Sequence, residues 1–169
     1  TSSDSEIILH LIARSQAESI VDRVTEALHQ IRGAFSLVLA TEKHLIAARD
    51  PHGFRPLCLG QLGDSWVVAS ESCALDIISA RYIRDIEPGE LVIIDQNGLR
   101  TYFPLQSDRH AHCIFEFVYF SRPDSIIFDD TVDKTRRKLG KQLAIEQPAD
   151  ADIVVPVPDS SNTAALGYA

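Results

Sequence analysis

Methionine is missing from all 169 residues, and cysteine occurs only three times. A chain without methionine that opens on Thr1 is expected to be a processed product or an internal fragment of a longer protein. Cys58, Cys73 and Cys113 stand far apart, which excludes a disulfide framework and favours a reducing, cytosolic-type compartment. No apolar run approaches the roughly 20 residues that a membrane-spanning helix needs. The polar opening Thr1-Ser-Ser-Asp-Ser-Glu6 does not have the form of a signal peptide. Positive charge is also short. Sixteen Lys and Arg against 24 Asp and Glu give a net charge of −8, so no basic stripe suits a nucleic-acid backbone. A small local anion site stays compatible with that balance. Repeats and low-complexity tracts are absent too, while 45% hydrophobic and 24% charged residues are ordinary for a globular protein.

What is present divides into two patterns. Ser3-Asp4-Ser5-Glu6 has capping-box spacing, and Ile7, Ile8, Leu11 and Ile12 then share one helical face. Ile20, Val21, Val24, Leu28 and Ile31 repeat the pattern in a second helix, which Gly33 ends. Ala34–Ala40 and Leu45–Ala48 predict a hairpin, with further strands at Leu57–Leu59, Trp66–Ser70 and Leu91–Asp95. A brief helix is expected over Cys73–Ile78. Asn97-Gly98 predicts a tight turn into Leu99–Phe103. From Ile114 to Phe120 six of seven residues are apolar or aromatic, which predicts a strand buried on both faces. Pro123 and its polar neighbours stop that run. Beyond it, Thr131–Gln147 predicts a helix burying Val132, Leu139 and Leu143, and Ile153–Val157 a short buried strand. The change of pattern marks a junction between two domains.

Four places can carry chemistry. Asp4 stands among serines at a helix start, where it either caps the helix or holds a charged amino group. Arg49–Pro56 is a turn-rich loop with two arginines, and its lone His52 lacks a nameable partner. Cys113 follows His110 and His112, but a single thiol without a CxxC partner reads first as a buried structural group. Pro158-Asp-Ser-Ser161 lies beyond the predicted strand Ile153–Val157, where ligands gather in open α/β sheets. Its hydroxyls and carboxylate are hard donors suited to Mg²⁺ or a phosphorylated substrate, or else form an ordinary strand-to-helix turn.

Six segments stand in order along the chain: Thr1-Ser-Ser-Asp-Ser-Glu6, Ile31-Arg-Gly-Ala-Phe-Ser36, Arg49-Asp-Pro-His-Gly-Phe-Arg-Pro-Leu57, Ala69-Ser-Glu-Ser-Cys-Ala-Leu-Asp76, Phe115-Glu-Phe-Val-Tyr-Phe-Ser-Arg-Pro-Asp-Ser125 and Val157-Pro-Asp-Ser-Ser161. Together they resemble the glutamine phosphoribosylpyrophosphate amidotransferase (amidophosphoribosyltransferase) family. The resemblance implies the C-terminal part of an Ntn-hydrolase αββα glutaminase sandwich over residues 1–107. It implies the junction and start of a type I phosphoribosyltransferase fold over residues 108–169, an α+β part followed by an α/β part. The implied activity forms 5-phosphoribosylamine, glutamate and pyrophosphate from glutamine, PRPP and water, the first step of de novo purine synthesis. Asp4 is implied to hold polar backbone groups of glutamine. Ser160 is implied to ligate Mg²⁺, with Ser161 as fallback, and Cys113 to be one ligand of a [4Fe–4S] cluster in members that carry one. Partners implied are glutamine and PRPP, without nucleic acid or membrane, in a homo-oligomer of the cytoplasm or, in a plant, the plastid stroma.

The departures set limits. The family nucleophile is an N-terminal Cys, and this chain has Thr1 at a later point of the pattern. The oxyanion segment, the arginine that grips glutamine and the loop that cradles the PRPP phosphates have no counterpart either. No catalytic residue is therefore assigned, and the fragment alone is expected to be inactive. Another class II glutamine amidotransferase, or a non-catalytic domain that keeps the fold, is the alternative; the first leaves Val157-Pro-Asp-Ser-Ser161 unexplained.

Overall fold

In the structure, a computed structural model, residues 4–107 and 109–169 are described. Ser3, a predicted capping residue, lies outside them. In chain order the elements are α1 (Ser5–Arg14), α2 (Ile20–Gln30), β1 (Ser36–Ala40), β2 (Leu45–Arg49), β3 (Cys58–Leu62), β4 (Ser65–Ala69), α3 (Ser72–Ile77), β5 (Arg81–Asp85), β6 (Leu91–Asp95) and β7 (Gly98–Tyr102). A π-helical turn (Glu116–Phe120), β8 (Ile126–Ile127), β9 (Asp130–Thr131), α4 (Val132–Glu146) and α5 (Ser161–Tyr168) follow. The fold is mixed α and β. Packing groups the chain into two compact units, residues 1–54 with 86–111 and residues 55–85 with 112–169.

The first unit is an antiparallel sheet of order β1-β2-β6-β7 with α1 and α2. Ser19 starts α2 as expected of an N-cap, its hydroxyl accepting the Asp22 amide at 3.1 Å. Val24 and Leu28 then pack with Phe35, Ile46, Ala48, Leu91 and Ile93 into one core. Because strand side chains alternate, Ala47 and Val92 point to the opposite face, and both are fully buried. The two central strands are therefore covered on both sides. Asp95 pairs with Gly98 across Gln96-Asn97, so the predicted tight hairpin is present with its corner one residue earlier than Asn97-Gly98, and Gly98 opens β7 at φ 101°.

The second unit holds a sheet of order β4-β3-β5 with α3 packed on it. Gly60 makes that packing feasible: a Cβ there would lie 2.6 Å from Leu75 Cδ2. Leu75 thus seats directly over the strand, with Cys58 and Ala80 beside it. β5 escapes the sequence reading because Arg81-Tyr-Ile-Arg-Asp85 is mostly polar, and only its pairing with β3 makes it a strand. β8 and β9 form a small hairpin whose two connecting residues, Phe128 and Asp129, have φ of 48° and 63°. That is the backbone of a type I′ turn, here without the usual Asn-Gly. Phe128 is held there by its backbone N–H donating to Asp85 Oδ2 (3.1 Å), by His112 stacked at 4.1 Å and by the edge of Phe117 at 5.9 Å.

Three sequence expectations are overturned in this unit. Ile114–Phe120 is no buried strand: Glu116–Phe120 turns as a π-helix, closed by the Ser121 amide on the Glu116 carbonyl at 3.1 Å. Glu116 is the cause, since its carboxylate is buried and has partners only if the chain curls around it. Ile153–Val157 is no buried strand either. Its chain finds no sheet partner among the described residues, and Ile153, Val155 and Val157 are 75%, 79% and 80% exposed. In α4, Val132 is buried as expected, but Leu139 and Leu143 are exposed, and Arg136 and Gly140 take the inward positions.

Candidate functional site

A polar cleft of about 740 Å³ in the second unit runs between the turn after Phe120 and the start of α5. Arg122, Arg136, Asp159, Ser160, Asn162 and Thr163 carry its polar chemistry. Ser160 directly precedes α5 and is half-buried, so its hydroxyl stands at the amino end of a helix, the end that favours negative charge. Ser161 is turned back instead, its hydroxyl donating to the Val157 carbonyl. Of the two serines, Ser160 is the one lining this cleft. Arg122 forms a two-bond fork with Asp124 at 2.8 and 3.0 Å. That hydrogen-bonded pair holds the Asp124 carboxyl below the ordinary carboxylate range.

The wall behind the cleft is built from groups far apart in sequence. Glu71 Oε2, just before α3, accepts the Arg122 amide at 2.9 Å and the Ser125 hydroxyl at 2.8 Å. The Ser72 hydroxyl accepts the Ile126 amide at 2.8 Å. Arg136 projects from α4 and donates to the carbonyls of Phe117 (2.6 Å) and Ser121 (2.7 Å), satisfying acceptors that the π-helical turn leaves open. Burial pushes the Arg136 pKa down, yet a guanidinium keeps its charge in proteins. Glu116 Oε2 accepts the Ser121 hydroxyl at 2.6 Å, and its Oε1 lies 2.8 Å from Arg55 Nε. Sequence reading assigned no role to Glu71, Glu116 or Arg136. The one available signal was a charge inside an apolar run, Glu116 between Phe115 and Phe117.

The other predicted residues stand elsewhere. Asp4, in the first unit, is exposed at the start of α1, and among the described residues its carboxylate makes no capping hydrogen bond. Within Arg49–Pro56 the two ends behave differently. Arg49 is a buried end of β2 whose guanidinium donates to the carbonyls of Ile86 and Gly53. Asp50 is fully buried and accepts three backbone amides, from His52 at 2.9 Å, Phe54 at 3.1 Å and Phe35 at 3.3 Å. His52 Nδ1 faces the Ser107 hydroxyl and the Arg109 carbonyl, a loop-tying role.

Cys113 is a half-buried free thiol just ahead of the π-helical turn. His112 stacks on Phe128 rather than meeting it in a ligand set, and no group of three His, Cys, Asp or Glu able to hold a metal occurs among the described residues. Cys58 and Cys73 are buried in the packing around β3 and α3. The four thiolates of a [4Fe–4S] cluster are therefore not furnished by these residues. For Mg²⁺ the fit is better in kind, because Ser160 and Asp159 offer hard oxygens and that ion retains waters and phosphate oxygens for its remaining positions. No helix among the described residues is long and apolar enough to cross a membrane.

Known proteins match both the sequence and this geometry. Residues 1–76 match the glutamine amidotransferase domain model. Amidophosphoribosyltransferase 2, chloroplastic, from Arabidopsis thaliana is 48% identical over 100% of this chain and 30% of its own length. The Bacillus subtilis amidophosphoribosyltransferase is 45% identical over 100% of this chain and 36% of its own length. A solved structure of the B. subtilis glutamine phosphoribosylpyrophosphate amidotransferase, complexed with ADP and GMP, superposes with a TM-score of 0.96 at 45% identity, covering 99% of this chain and 37% of that one. The chain thus spans about a third of the length of the relatives it matches. With 45–48% identity over its whole length and a shared backbone, the chain is similar throughout to about a third of an amidophosphoribosyltransferase.

Proposed function

We propose that the chain is part of an enzyme that releases ammonia from glutamine and uses it to displace pyrophosphate from PRPP, forming 5-phosphoribosylamine. The observation that carries this reading is the reach of the likeness: the match to the relatives continues past residue 76 and spans the whole chain. A glutamine amidotransferase acting on another acceptor accounts only for the earlier part. In this reading residues 1–107 belong to an Ntn-type αββα glutaminase and residues 108–169 begin a type I phosphoribosyltransferase fold.

Asp4 presents an exposed carboxylate suited to the α-amino group of glutamine. Ser160 offers one oxygen to Mg²⁺, which when bound neutralises charge on the departing pyrophosphate. Arg136 lines the cleft and, while its N–H groups hold the Phe117 and Ser121 carbonyls, adds a positive field that favours phosphate there. Cys113 supplies at most one thiolate to a [4Fe–4S] cluster, the others coming from outside this sequence. The thiolate nucleophile that attacks glutamine likewise belongs to the rest of the enzyme. A homo-oligomer in the cytoplasm, or in plastids as the plant relatives' names have it, completes the proposal.

The test uses the full-length protein that carries this sequence and follows PRPP-dependent pyrophosphate release with glutamine or with ammonium. Ser160→Ala is expected to depress both reactions. Asp4→Ala is expected to raise KM for glutamine about tenfold or more while ammonium-supported turnover persists. Absence of PRPP-dependent pyrophosphate release with either nitrogen source would overturn the reading.

A further inference from the structure

Glu71 holds the N-cap position of α3, yet its side chain makes no capping bond to that helix. Its Oε2 is turned instead to a loop 51 to 54 positions later, accepting the Arg122 backbone N–H at 2.9 Å and the Ser125 hydroxyl at 2.8 Å. The next residue, Ser72, is buried and accepts the Ile126 backbone N–H at 2.8 Å. Two adjacent side chains thus take up three donors of the stretch 122–126. On its other side the stretch is tied to the start of α4: the Val132 N–H donates to the Ser125 carbonyl and the Asp133 N–H to the Pro123 carbonyl, both at 3.0 Å. Asp133 in turn accepts the Thr163 hydroxyl of α5. Arg122 and Pro123 line the polar cleft from one end, Asp159, Ser160 and Thr163 from the other, and Glu71 stands outside the lining. Bonds to an ionised acceptor are the stronger ones, and loss of this carboxylate would strand two donors, one of them on the fully buried Ser125.

We propose that Glu71 is a positioning residue for PRPP: its carboxylate, helped by Ser72, fixes the Arg122–Ser125 rim at the spacing from Ser160 that the phosphoribosyl substrate needs. The inference rests on the function proposed above. It goes further in making the PRPP cleft depend on a residue outside the segment 108–169. Glu71 lies within the 1–76 match to the glutamine amidotransferase domain, but it packs in the same compact unit as the cleft. Its hydrogen bonds follow the packing and leave the domain match behind. Glu71 acts on PRPP only through the loop it holds.

The experiment compares Glu71→Ala, Glu71→Gln and Ser125→Ala with the parent in the full-length protein that carries this sequence. Steady-state constants for PRPP are measured with ammonium as nitrogen source, which bypasses the glutamine site, and KM for glutamine is measured separately. Glu71→Ala is expected to raise KM for PRPP at least about fivefold while KM for glutamine stays within about twofold of the parent. Glu71→Gln keeps an oxygen that can accept the Arg122 and Ser125 donors, and should bring KM for PRPP back to within about twofold. Ser125→Ala removes one of the three bonds and should raise KM for PRPP about two- to threefold, which carries the test if Glu71→Ala does not fold. A role confined to stability would lower kcat in step with the folded fraction and leave KM for PRPP at the parent value. That result would overturn the inference, as would a KM for glutamine that rises as much as the KM for PRPP. A parent protein without PRPP-dependent pyrophosphate release would instead overturn the function on which it rests.

Discussion

Single residues decide two outcomes here. Asp50 accepts amides from Phe35, His52 and Phe54 while fully buried, so an amide nitrogen in place of either oxygen would face an N–H rather than accept it. Asp50→Asn is expected to destabilise the protein by about 1–3 kcal/mol, read as a lower denaturant midpoint with an unchanged slope. Cys58 gives the second. Burial, reinforced by the Asp85 charge, pushes its thiol up to about 12. Its folded value lies above the unfolded one, so its contribution to stability is complete below about pH 8.5 and is lost as pH rises toward 12. In native protein at pH 8, iodoacetamide should modify the half-buried Cys113 and spare Cys58, with peptide mass mapping as the readout. Equal modification of both would show that the β3 environment is open.

At the scale of elements, α4 and α5 meet closely enough that glycine is required. A Cβ on Gly140 would fall onto the Ala164 carbonyl, and one on Gly167 onto the Arg137 carbonyl. Alanine improves helix propensity by about 1 kcal/mol, yet Gly140→Ala is expected to lower the melting temperature because the clash is with backbone. The same pair is tied by Thr163 donating to Asp133 at 3.1 Å. Hydrogen bonding from Arg137 first, and from Thr163, holds the Asp133 carboxyl below its ordinary value. That contribution is present above about pH 4 and lost as pH falls through the lowered folded value. The stability difference between parent and Thr163→Val should therefore shrink on acidification from pH 6 toward pH 3, and a difference independent of pH would rule the tie out.

The elements also show what a sequence can carry. α2 was legible because it keeps one apolar face at a regular period from Ile20 to Leu28, and the β1–β2 hairpin because two short apolar runs flank the polar Thr41-Glu-Lys-His44. Ile114–Phe120 was not, because an apolar run suits a buried strand and a curled turn equally, and Glu116 settles the matter only through Arg55, far away in sequence. Ile153–Val157 fails for a related reason. An apolar pattern says that a segment wants a neighbour, while strand structure requires that the neighbour be there. The Pro158–Ser161 stretch stood out by its composition, with Ser160 named only through the resemblance, but the wall behind it was not legible: Glu71 reaches Ser125 across 54 positions.

For the whole molecule, apolar surface is the distinguishing property. Leu139, Leu143, Val154, Val155 and Val157 line one shallow apolar groove in the second unit. Monomeric proteins seldom expose contiguous patches of this kind. The 169-residue chain is expected to bind an apolar reporter dye and to self-associate with rising concentration in sedimentation experiments, despite the net charge of −8 that opposes contact. Val155→Ser with Val157→Ser should reduce both signals. Dye binding unchanged in that variant would locate the exposed surface elsewhere.

The β8–β9 hairpin shows how far a local rule can be overridden. Phe128-Asp129 takes a left-handed path that Asn-Gly follows with less resistance, and the aromatic ring stays there between His112 and Phe117. Relaxing the backbone by writing Asn-Gly into the corner would take away the ring that those two neighbours grip. A variant ideal by loop statistics would then be the looser protein, its corner content and its surroundings adrift.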